Sequence, residues 1–202
     1  MVTVYSAPNT RAIRVIWVLE EIGAKAEIRS MPYPPRQHAP DYFAVNPAGM
    51  VPLLLDGEVR LSESMAICDY LATKHGSPLV VPTDDPERPQ FLQWLWYGES
   101  TLMTPLSRLN IVRQVERKGP EVEAIIAGAH DHVAGRLKML EQRLEGRDFL
   151  AAGRLTLADI SVSYPLHLVG MLGVDDLLGP RSAAYRERLR ARPAHQRAIA
   201  LS

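Results

Sequence analysis

Cysteine is almost missing from this chain: Cys68 is the one instance in 202 residues. No internal disulfide can form, and no zinc site built from several cysteines is available. That usage suits a reducing compartment. A surplus of charge is missing too. Lys+Arg and Asp+Glu both number 23, so the formal net charge is zero. No net field steers the protein towards nucleic acid or an anionic membrane, and neither is expected as a partner. No apolar run approaches the roughly 20 residues that span a bilayer. The opening "MVTVYSAPNT" lacks the basic segment and apolar core of a secretion signal. The expectation is a cytoplasmic protein. A metal-ligand pattern is also lacking. The "HDH" at 130 to 132 sits in a helical pattern, where residues two apart do not share a face. His38, His75, His167 and His195 are scattered, and no metal is expected.

What remains is an ordinary globular composition, 47% apolar and 23% charged. Its order along the chain is informative. "VTVYS" is a short β-branched and aromatic run ended by Ala7-Pro8. "NTRAIRVIWVLEEIG" then carries Ala12, Val15, Ile16, Leu19 and Ile22 at helical spacing, with Gly23 as a stop. "AEIRSM" is a second strand, and the proline-rich "PYPPRQHAPDYFAVNP" a loop with a short helix near residues 40 to 44. "PLLLDGEVRL" reads as a hairpin turning at Asp56-Gly57. A helix from Glu63 to about Lys74 follows, with Cys68 on its inner face as a small core residue. The alternation predicts a mixed sheet.

Proline-rich "GSPLVVPTDDPERP" reads as a linker, and all that follows is helical in pattern. The segment from Pro89 to Val112 predicts a long helix bent near Pro105. Trp94 and Trp96 on it are expected to pack in a core or an interface. "EVEAIIAGAHDHVAGRLKMLEQRLEG" is a second long helix, and "SAAYRERLRAR" and "PAHQRAIAL" are two short ones. "LTLADI" begins another, with Thr156 and Asp159 spaced as a capping box.

Four motifs in this order resemble the glutathione transferase superfamily: "RAIRVIWVLEE", "NPAGMVPLL", "LSESMAICDYL" and "LTLADI". The resemblance covers nearly the whole chain. It implies an α/β thioredoxin-like domain over residues 1–76, a linker over 77–86 and an all-α domain over 87–202. By resemblance, Pro52 follows a cis peptide bond, and the backbone of Val51 pairs with the cysteinyl part of glutathione as an added strand would. Glu63 and Ser64 then hold the γ-glutamyl group at a helix N-terminus, where free N–H groups favour an anion. Read alone, the same pair is a common helix start. Gln37 takes the place of a side chain that holds the glycyl carboxylate.

The resemblance also implies a Tyr, Ser, Thr or Cys between the first strand and first helix, to stabilise the glutathione thiolate; an asparagine there departs from the pattern, though its amide could donate to the thiolate. Two registers compete there. Counting back from Arg14-Val15 selects Asn9; counting forward from the strand selects Thr10. Both residues are also good helix caps. Tyr5 is a third candidate, and Arg11 a nearby source of positive charge. An electrophile pocket is expected on the long helix after the linker, lined by Tyr97, Thr101 and Thr104. The implied function is a homodimeric enzyme that conjugates glutathione, as co-substrate, to small electrophiles in detoxification. A glutathione-dependent peroxidase or isomerase, and a non-catalytic binding or regulatory module on the same fold, are the alternatives.

Overall fold

The computed structural model of the chain describes residues 2–114 and 119–202. The chain divides into two compact units, one of Met1–Val80 with Arg190–Ser202, the other of Val81–Leu189.

In the first unit, β1 (Val2–Ser6) leads to α1 (Ala12–Ile22) and β2 (Ala26–Ser30). A short α2 (Pro35–His38) and a 3-10 turn (Pro40–Ala44) follow, then β3 (Leu53–Asp56), β4 (Val59–Leu61) and α3 (Ser64–Lys74). The sheet order is β2-β1-β3-β4, with β1 parallel to β2 and antiparallel to β3. This is the mixed sheet of a thioredoxin-like fold. Strand side chains alternate between faces. Tyr5 and Leu53 meet Tyr42 in one buried cluster, while Val4 and Leu54, paired across β1 and β3, are fully buried on the other face. The hairpin turns at Gly57-Glu58, one residue later than expected, since Asp56 still pairs with Val59. Gly57 takes the positive φ of 62° there, which suits a two-residue turn led by glycine. Cys68 is buried in α3.

Residues 190–202 fall to this unit by packing, although chain order assigned everything from 87 onward to the helical part. The reason is a set of contacts between α9 (Pro193–Leu201) and α1. Trp17 is fully buried and meets the His195 ring edge-on at 4.7 Å. Its Nε1 donates to Glu21 Oε1 at 2.8 Å, and Arg192 clamps the same carboxylate at 2.7 and 2.9 Å. Burial pushes the Glu21 carboxyl up, but those bonds and the cations of Arg192 and Arg197 bring it below its ordinary value.

The second unit holds α4 (Arg88–Trp96), a wide π turn (Tyr97–Leu102), α5 (Met103–Arg113), α6 (Pro120–Arg143), α7 (Leu157–Met171) and most of α8 (Pro180–Arg190). The irregularity expected at Pro105 lies instead at Tyr97–Leu102. Pro105 falls in the first turn of α5, directly after this wide turn. Gly98 lies inside the wide turn. A Cβ on it would stand 2.4 Å from Ser161 Oγ and 2.6 Å from the Ser161 carbonyl carbon, so the chain can approach α7 this closely only as glycine. Ser161 Oγ donates to the Leu95 carbonyl at 2.6 Å. Trp94 is buried as expected, but Trp96 is 59% exposed.

The capping box of α7 is present. Thr156 Oγ1 accepts from the Ala158 N–H at 3.3 Å, and Asp159 Oδ2 accepts from the Thr156 N–H at 2.8 Å. Asp159 does more, because Oδ1 also accepts from the Leu150 N–H at 2.9 Å and the Tyr185 hydroxyl at 2.8 Å. Burial nonetheless pushes its carboxyl up to about 6. The start of α8 is held by another carboxylate. Glu141 accepts from the N–H groups of Arg181 and Ser182 and from Ser182 Oγ, at 2.7–2.9 Å. The helical second unit matches the expected fold class.

Candidate functional site

The site begins in the loop before β3. Asn46 is buried and ties this loop to itself, with Nδ2 donating to the Met50 carbonyl at 2.8 Å and Oδ1 accepting from the Ala48 N–H at 3.2 Å. The Tyr42 hydroxyl donates to the same Met50 carbonyl at 3.0 Å. Burial pushes the Tyr42 phenol up, so it stays a proton donor at neutral pH. Gly49 has φ of 60°, and a Cβ there would meet the Phe43 ring at 2.8 Å. With Met50 held, the Val51–Pro52 bond is cis and leads into β3. Val51 packs partly buried against the Tyr5, Tyr42 and Leu53 cluster. The sequence motif flagged Val51 and Pro52; the roles of Tyr42 and Asn46 in holding the loop had no sequence signal.

Glu63 takes the N-cap position of α3 with extended backbone (φ −85°, ψ 120°), and Ser64 opens the helix. Glu63 is exposed and makes no side-chain cap, so its carboxylate is not spent on its own helix. Ser64 is buried, and its Oγ accepts a hydrogen bond from Arg14 Nη1 at 3.1 Å. Arg14 itself is fully buried in the first turn of α1. It carries no role in the sequence reading, though a cation inside the apolar run "AIRVIWVL" was the available signal.

The loop after β1 holds the two candidates for a thiol contact in different settings. Thr10 is buried; its hydroxyl donates to the Ala7 carbonyl at 2.7 Å and accepts from the Ala12 N–H at 3.4 Å. Thr10 thus braces the turn into α1, whose N-cap is Arg11, and its proton is already placed. Asn9 is exposed and has φ of 59°, a left-handed conformation that asparagine tolerates. Tyr5 packs against Tyr42 at 5.2 Å, and its hydroxyl accepts from Arg29 Nη1 at 2.9 Å. That is the packing role expected of a strand residue. Gln37 is exposed on α2.

In the second unit, Tyr97 stands in the π turn. Its ring meets Trp94 at 4.8 Å, and its hydroxyl donates to the Arg136 carbonyl at 3.0 Å. Burial pushes this phenol up as well. Thr104 is exposed, and its hydroxyl donates back to the Ser100 carbonyl at 2.5 Å; Thr101 is half-buried. The π turn also breaks the even spacing that these three would share on a regular α-helix.

The family models for the glutathione S-transferase N-terminal domain and C-terminal domain match residues 1–73 and 102–193. A probable glutathione S-transferase of Oryza sativa subsp. japonica is 32% identical over 197 residues, covering 93% of this chain and 90% of its own. A glutathione S-transferase of Arabidopsis thaliana is 29% identical over 202 residues, covering 96% and 94%. Among solved structures, a glutathione transferase family member from Pseudomonas fluorescens with two glutathione bound superposes with a TM-score of 0.87 at 25% identity, covering 98% of this chain and 92% of that one. No helix among the described residues is long and apolar enough to cross a membrane.

Proposed function

The chain belongs to the glutathione transferase family, and on that premise we propose that it binds glutathione in its first unit and activates the thiol for attack on small electrophiles. The start of α3 carries this reading. Ser64 has an oxygen loaded by Arg14, while Glu63 has a carboxylate uncommitted to a cap. A γ-glutamyl group presents an ammonium and a carboxylate side by side. One acidic acceptor and one hydroxyl donor at a helix N-terminus complement that pair. Val51, which leads into β3, is the proposed strand-like partner of the cysteinyl backbone. Gln37, exposed on α2, is the proposed contact for the glycyl carboxylate.

For the sulfur, Asn9 is the proposed contact. Its amide can donate a hydrogen bond to the thiolate and lower the thiol pKa from the free value of about 8.5. Thr10 would have to give up its bond to Ala7 to do the same. No step passes through a cysteine, so a mixed disulfide with the protein is not part of the mechanism. Tyr97, Thr101 and Thr104 remain the proposed lining for the electrophile, with Tyr97 acting through its ring, since its proton is held by Arg136. We further propose a homodimer and a cytoplasmic setting. The α4 face carrying Leu92 and Trp96, 37% and 59% exposed and one turn apart, supports the dimer with a second copy as its cover. No metal enters the scheme.

One observation favours a second reading. With Thr10 committed to Ala7, the described hydroxyls after β1 supply no free donor, and a module that binds glutathione without catalysis fits that arrangement. Calorimetric titration with glutathione tests the common premise. Micromolar to millimolar binding that is lost in Glu63→Ala/Ser64→Ala supports it, and binding indifferent to both residues overturns it.

A further inference from the structure

We propose that Arg14 is a positioning residue for the ligand carboxylate, acting through Ser64 and never touching the ligand itself. This rests on the assignment of Ser64 to the glutathione site. A serine hydroxyl has one proton and two acceptor lone pairs, and the proton rotates to suit its surroundings. In the fold, Arg14 Nη1 fills one lone pair of Ser64 Oγ from the protein side, at 3.1 Å. An oxygen that accepts from a cation donates more strongly in turn, because the bonds polarise one another. Its own proton must then point away from the guanidinium, towards the mouth of the α3 N-terminus. That is where an anion gains from the free N–H groups of the helix.

The position of Arg14 makes this more than a chance contact. It lies in the first turn of α1, flanked by Ala12, Ile13, Val15 and Ile16, all buried, and α1 packs on α3. Burying a guanidinium costs several kcal/mol in desolvation, and an apolar side chain of similar size is often no less stable at such a site. This cation, 0% exposed, places a nitrogen on the first residue of a helix proposed to bind an anion, where it can act on the ligand-bound state. Lysine in its place would keep the charge and lose the planar fork.

A double-mutant cycle on glutathione affinity tests this, using Arg14→Met, Ser64→Ala and the pair, with each fold checked by circular dichroism. Arg14→Met is expected to weaken binding about ten-fold in the wild-type background, as for a lost bond to a charged group. In the Ser64→Ala background the same change is expected to cost less than about two-fold, since its intermediary is gone. Equal losses in both backgrounds, or no loss in either, would overturn the proposal. Should Arg14→Met not fold, Arg14→Gln, which also removes the charge, replaces it in the cycle with the same criterion. If Ser64→Ala alone binds as wild type does, the assignment of Ser64 to the site fails first, and that result is distinct from the absence of coupling.

Discussion

At the residue scale, hydrogen-bond bookkeeping separates residues that look alike in sequence. Asn9 and Thr10 both suit a helix cap, and Thr10 is tied to Ala7 and Ala12. Asn9→Ala is expected to raise the pKa of the bound thiol, while Thr10→Ala lowers stability by about 0.5–1.5 kcal/mol through loss of those bonds and leaves the thiol unchanged. Thiolate absorbance and thermal melts of the two variants check this, and the reverse pattern would reassign the roles. Asp159 gives a pH signature. Its folded value of about 6 lies above the ordinary carboxylate value of 3.8. Its contribution to stability is thus full below the unfolded value and is lost as pH rises through 6, by about 3 kcal/mol at 1.36 kcal/mol per unit. Glu21 works in the opposite sense: its lowered value adds stability at neutral pH that is lost as pH falls through the folded value. Urea unfolding of wild type against Asp159→Asn between pH 4 and 7 isolates the first effect. A pH profile identical in the two proteins would contradict it.

At the element scale, most of the fold was legible because periodicity and punctuation agree. The helical spacing of Ala12 to Ile22, the glycine stop at Gly23 and the Thr156–Asp159 capping box all appear where the chain announces them. The misses share a cause, which is dependence on partners distant in sequence. The π turn at Tyr97–Leu102 accompanies the approach of Gly98 to Ser161, which local propensity does not encode. The Asp56-Gly57 signal was right in kind and one residue off, because strand pairing fixes register. Arg14 was unread because a charge inside an apolar helix shows its purpose only when Ser64 of α3 is beside it. Two stability changes follow at this scale. Thr156→Ala is expected to cost about 0.5–2 kcal/mol, and Gly98→Ala about 1–3 kcal/mol by overpacking against α7. Denaturant unfolding reads both, and a Gly98→Ala protein as stable as wild type would remove the close-packing account of the π turn.

At the scale of the whole molecule, the C-terminal helix is bound to the first unit by Trp17, Glu21, Arg192 and His195, although it is the last element of the chain. Sequence order hid this. Association is the second property at this scale. Trp96→Ser is expected to shift the protein towards monomer in gel filtration, and an unchanged elution volume would locate the proposed interface elsewhere. The central claim is thiol activation by this chain, and the ultraviolet absorbance of the glutathione thiolate, titrated across pH with the purified protein, tests it most directly. The account predicts that bound glutathione ionises well below the free value of about 8.5. Glutathione that binds with an unshifted thiol, or that does not bind, would contradict it.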